Sequence, residues 1–182
     1  QGAHVCVPQQ GLAEVAAARL RRGPQRGANG GVPGIGELID RANRRIVNRL
    51  LELGHEVEQR EWGLRMILVS RCLERIGDQS VTIAKLTKLS ARFEPQHELV
   101  EGLREMGDRC EEMLTIALDS FAERNTERAR ALVELDELID RTNHRVTDRV
   151  LEMAATPGQQ EWGMRMIIVS RCLERIGDNA VD

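Results

Sequence analysis

Tyrosine is absent from this chain of 182 residues, and only two Trp and two Phe are present, so aromatics amount to 2%. Sheet domains draw on aromatic and β-branched residues. Here such runs are few and Leu, Arg, Glu and Ala prevail, which points to helices with wetted outer faces. Long apolar runs are missing too. None approaches the roughly 18 residues that a membrane-spanning helix needs, and no signal-peptide pattern precedes the first helix. There is no surplus of basic charge: 26 Lys and Arg stand against 29 Asp and Glu, for a net charge of −3, so no basic face for nucleic acid is expected. Cysteine is scarce and unpaired in pattern. Cys6, Cys72, Cys110 and Cys172 form no CxxC, and Cys72 and Cys172 lie inside apolar helical stretches. Buried, reduced thiols in a cytoplasmic protein are the expectation. No nucleophile stands with a base, and there is no phosphate loop, so no enzyme activity is expected.

What is present is a repeat. SRCLERIGD occupies residues 70–78 and again 170–178. Residues 37–82 align with 137–182 without a gap, and 28 of those 46 positions are identical by count. ELIDR opens both copies, and EWG recurs at 61 and 161. A unit of structure is duplicated. In the second copy, Leu132, Leu135, Ile139, Val146 and Val150 recur at helical spacing, then AATPG breaks the chain. Trp162, Met166, Val169, Leu173, Ile176 and Ala180 resume the same period. In the first copy the break is looser, near Gly54, and the following helix runs to about Phe93.

Pro95 suits the start of a further helix, and Asn125 or Thr126 can cap the one after it. Helices are expected over about 96–122, 126–155 and 160–182. The fold class is thus all-α, a tandem repeat of two antiparallel three-helix bundles. Residues 10–36 would correspond to 110–136 but do not match them: they hold a short helix and then the Gly-rich GPQRGANGGVPGIG. The reading divides the chain into a non-matching segment (1–36), a first repeat lacking most of its N-terminal helix (37–93) and a second repeat (94–182). That second repeat is expected to be cut short in its last helix, in a chain that begins with Gln and reads as a fragment.

Candidate chemistry lies in carboxylates. Glu174 and Asp178 are four apart on one helix face, as are Asp136 and Asp140 on the preceding helix. Folding the hairpin about Pro157 sets Asp140 opposite Glu174 and Asp136 opposite Asp178. Depending on bundle handedness, both pairs line one seam or both lie away from it. On a shared seam four anions converge and repel unless a cation sits among them. Alternatively Arg171 and Arg175 engage them in local ion pairs. Gly177, inside a helix, costs about 1 kcal/mol against Ala. It therefore serves either ligand access or the close approach of a neighbouring helix. Asn143 is read as a surface polar residue or an extra oxygen ligand, and Trp62, Trp162, Met66 and Met166 as core. Glu52 and His55 form one ExxH, but the second copy has Glu152 and Ala155, so the paired ExxH of a di-iron oxidase is missing.

LERIGDQSVTIAKL and LERIGDNAVD, each preceded about 34–36 residues earlier by ELID, resemble the PhoU family of phosphate-system regulators over residues 37–182. The resemblance implies paired E(D)xxxD motifs that hold multinuclear metal on the bundle surface. Matched residue by residue, the first site takes Asp40, Glu74 and Asp78, and the second takes Asp136, Asp140, Glu174 and Asp178. Gly36 stands where the second copy has Asp136, and the family's Asp-Leu-Arg after the turn is Gly63-Leu64-Arg65 and Gly163-Met164-Arg165. These departures weaken the first site. All-oxygen ligands suit Mg²⁺, Mn²⁺ or Fe, and Zn²⁺ less well. The resemblance further implies a cytoplasmic negative regulator of the phosphate-starvation response, a homodimer peripheral to the membrane at most. It would couple the high-affinity transporter's ATPase to a sensor histidine kinase. The competing reading is a structural helical interaction module without metal.

Overall fold

The computed structural model describes residues 44–49, 52, 57–153 and 156–182. The expectations for 1–36, for Asp40 and for the first ELID lie outside these. Residues 44–49 are helical, and five further helices follow: α1 (Val57–Ser90), α2 (His97–Glu123), α3 (Thr126–Ala129), α4 (Ala131–Glu152) and α5 (Pro157–Val181). No strand occurs among the described residues. None of their helices is long and apolar enough to cross a membrane.

Local chemistry sets the helix ends. Arg124 closes α2 in the left-handed region, with φ 53°. The next amide, Asn125, donates to Ser120 O at 2.9 Å, which satisfies an orphan carbonyl. The Asn125 side chain then accepts from the Arg128 amide at 3.0 Å and caps α3. The single helix expected over 126–155 is therefore a short α3 followed by α4. The last helix begins at Pro157 instead of 160. Thr156 and Gln159 form a reciprocal capping box, and Pro157 fits the first turn, where its missing N–H costs no bond.

The helices α2, α4 and α5 pack mutually, and α1 packs on α5. Their shared core holds Met106 and Met113 from α2, Ile139 and Val146 from α4, and Trp162 and Ile176 from α5. Trp162 is 3% exposed, as a core residue should be; Trp62 is half-buried. The first copy contributes Ile76 to the core, with Leu73, Ile83, Leu86 and Phe93 packed against it.

Helices α1 and α5 run antiparallel. Arg92 pairs with Glu161 at 2.8 Å, Arg165 donates to Leu89 O, and both arginines lie over the Phe93 ring at 4.7 and 5.3 Å. At the other end Cys72 feels the charge of Asp182. The ends of the two SRCLERIGD strings therefore face each other toward that end, with Ile76 and Ile176 each 6% exposed.

The α4–α5 hairpin is closely packed. A Cβ at Gly163 would lie 2.8 Å from Val150 Cγ1. Gly163→Ala is expected to destabilise the fold by roughly 1–2 kcal/mol, overpacking outweighing the gain in helix propensity. In a Val150→Ala background the same change should cost little. Thermal unfolding of the four proteins checks this.

Candidate metal centre

The contacts between α4 and α5 bracket the register read from Pro157. The position of a Gly177 Cβ faces Asp136, Ser170 bonds Asn143, and Gly163 faces Val150. Those three lie one residue short of it, and the contact of the Gly177 position with Ile139 lies two residues beyond. The seam between α4 and α5 is nonetheless shared by both carboxylate pairs.

Asp136 is the inner member. Its Oδ1 is buried and has no hydrogen-bond partner. Loss of water comes first, followed by the charges of Asp140, Asp178 and Glu174, in raising its carboxyl above the ordinary 3.8. Asp178 is raised too, first by loss of water around the carboxyl and then by Asp140 and Asp182, while Arg171 and Arg175 pull it down. The four second-copy acids thus share one field.

The alternative of local ion pairs holds for one of them: Arg171 donates to Glu174 Oε1 at 3.2 Å, and Glu174's side chain is 17% exposed. No ion pair or side-chain hydrogen bond engages Asp136, Asp140 or Asp178 among the described residues. None of those residues forms a group of three or more His, Cys, Asp or Glu gathered closely enough to be a ready-made metal shell. The donor set still fits a hard cation: four carboxylates, one with a buried and unsatisfied oxygen. Neither Asp140 nor Asp178 has a side-chain bond, among the described residues, that turning would break.

Cys110 is engaged elsewhere. Burial pushes it up to about 12, and its Sγ donates to Leu173 O at 3.2 Å, so it stays protonated. Cys72, Cys110 and Cys172 are free, as expected; Cys6 lies outside the described residues.

The first-copy acids Glu74 and Asp78 lie on α1, half-buried and exposed respectively. The charges that raise Asp136 and Asp178 come from α4 and α5. Asn143 corrects the sequence reading. It is 4% exposed, so it is not a surface residue, and it accepts a hydrogen bond from Ser170 Oγ at 2.6 Å. That buried pair ties α4 to α5 beside the acids. One signal pointed to it: Asn43 and Ser70 repeat the same two residues in the first copy.

In the metal-free protein a carboxyl raised on folding stays protonated to higher pH than in the unfolded chain. Its ionisation therefore costs stability as pH rises through the window that starts at 3.8. Below that window the cost vanishes. Asp136→Asn should raise the Tm at neutral pH, with the gain disappearing on acidification toward pH 3.8; Tm against pH in the presence of chelator checks it.

Comparison with known proteins follows this geometry. A family model described as the PhoU domain matches residues 35–87 and 103–182. A phosphate-specific transport system accessory protein PhoU homolog from Clostridium acetobutylicum is 31% identical over 111 residues, 60% of this chain and 50% of the relative. The corresponding protein of Pseudomonas putida is 30% identical over 152 residues, 80% of this chain and 59% of the relative. The chain thus spans about half to three-fifths of the length of these curated relatives. The crystal structure of PhoU from Pseudomonas aeruginosa superposes with a TM-score of 0.71 at 23% identity, covering 93% of this chain and 78% of that one. This last likeness is one of fold.

Proposed function

Since the chain belongs to the PhoU family, with the family's domain matched at 35–87 and again at 103–182, we propose that it is an accessory regulator of phosphate uptake. In this reading Asp136, Asp140, Glu174 and Asp178 hold divalent or multinuclear cations (Mg²⁺, Mn²⁺, Fe or, less well, Zn²⁺) on the bundle surface. The observation that carries the metal is the buried, unpartnered Oδ1 of Asp136 in the field of three further carboxylates. A bound cation would supply charge neutralisation and no redox or hydrolytic step. Asp136 offers the inner oxygens, and Asp140 and Asp178 the mobile ones. Glu174 is steered by Arg171, which must share it.

The phosphate role rests on the curated names of the relatives, which are phosphate-specific transport system accessory proteins. The protein acts by binding and is not an enzyme. It works as a homodimer at the cytoplasmic membrane face. It couples the transporter's ATPase to a sensor histidine kinase and holds the starvation response down. The competing reading is a helical module without metal. It is favoured by the Arg171–Glu174 pair and by the absence of a gathered shell among the described residues.

Metal analysis separates the two. The second site carries four acids, whereas the first keeps Asp40, Glu74 and Asp78 with Gly36 in the fourth place; one ligand charge fewer weakens a hard-cation site. Elemental analysis should show Asp140→Ala losing most bound metal and Asp40→Ala little. Equal losses sink the asymmetry, and a metal-free wild type sinks the metal. The coupling role predicts that the intact protein co-purifies with the transporter ATPase or with the kinase's ATP-proximal domains; retention of neither by the tagged protein would remove that role.

A further inference from the structure

The glycine inside the repeated string faces the inner acid. A Cβ built on Gly177 would lie 3.2 Å from Asp136 Oδ1, 3.1 Å from Ile139 Cδ1 and 3.7 Å from Met113 Cε. The first two are tighter than ordinary van der Waals contact, yet neither involves backbone. Both neighbours are ends of side chains that can yield by a few tenths of an ångström. The Asp136 oxygen yields more freely, because it has no hydrogen bond to lose, whereas Ile139 is 0% exposed and enclosed by the core.

We infer that Gly177 is a positioning residue. Its missing side chain lets the Asp136 carboxylate seat against α5, and thereby decides which oxygens the second acid pair meets. This inference rests on the proposed metal centre. It separates two roles of a mid-helix glycine. Removing a Cβ for helix packing alone would make any larger residue a fold defect. Removing it for Asp136 makes Ala tolerable to the fold and harmful to the site. An alanine regains helix propensity, which offsets the crowding at Ile139. The carboxylate it displaces has no comparable compensation. Groups that orient metal ligands typically change affinity by about 10–100-fold when altered.

The test uses the full chain with Mn²⁺ as the probe. Wild type, Gly177→Ala, Asp136→Ala and the double variant are compared by Mn²⁺ titration calorimetry and, with chelator, by thermal unfolding. Gly177→Ala should bind Mn²⁺ roughly 10-fold or more weakly, with metal-free Tm close to wild type. In the Asp136→Ala background the alanine at 177 should be more stabilising than in wild type, since the oxygen it crowds is gone. Mn²⁺ affinity of Gly177→Ala within about twofold of wild type overturns the inference. So does a metal-free effect of Gly177→Ala that is the same with and without Asp136, which would assign the glycine to Ile139. If Gly177→Ala does not fold, Gly177→Ala with Ile139→Val clears the 3.1 Å contact, leaves the carboxylate crowded and gives the same readouts. A wild type that takes up no Mn²⁺ removes the metal centre and the site role of Gly177 with it. The metal-free coupling then still tells whether residue 177 and Asp136 touch.

Discussion

The close approach of α4 to α5 is the constraint on which the rest depends. Two glycines of α5 permit it, one against Val150 and one against Ile139 and Asp136. A buried Ser170–Asn143 bond at 2.6 Å pins it between them. Helix axes separated by ordinary side chains stand 8–10 Å apart; without a Cβ at the contact they can come nearer. That proximity encloses Ile139 completely and carries Asp136, on the same helix face, to the rim of the seam.

Burial and repulsion then act on the acids in the same direction. Asp136 loses water to the packing and gains like charges as neighbours, so both terms raise it. Helix α5 supplies the counterweight from its own sequence: Arg171 bonds Glu174, and Arg171 and Arg175 lower Asp178. These arginines lie on the exposed side of α5, where solvent screens them. They temper the outer acids and leave the inner one unpaired. A buried, unsatisfied oxygen is costly to keep for stability alone, and this is the physical case for the proposed cation.

The second consequence of the duplication is the α1–α5 seam. The two copies of the string do not stack as parallel repeats; they run antiparallel and meet at their Ile-Gly-Asp ends. Apolar positions common to both copies, Ile76 and Ile176 above all, make one continuous core from two units. One end of the seam is held by Phe93 with Arg92 and Arg165 and by the Arg92–Glu161 pair. One repeated segment therefore serves two purposes, core packing on one face and carboxylate display on another.

Sequence alone determined the helical class, the duplication, the hairpin about Pro157 and the four second-copy acids, because periodicity and internal identity are local properties that survive without coordinates. It also determined the cap at Asn125 in kind, though not the short break after Ala129, the capping box at Thr156 or the start at 157. Tertiary structure decided three further matters. It decided that both acid pairs lie on the shared seam, since bundle handedness is invisible in a helical wheel. It decided which contacts hold the hairpin: two glycines against Val150, Ile139 and Asp136, and the Ser170–Asn143 bond. And it decided that Asn143 is core while Asp136 is half-buried and unpaired. Polar residue types predict exposure only on average, and which of them goes inside depends on how close two helices can come.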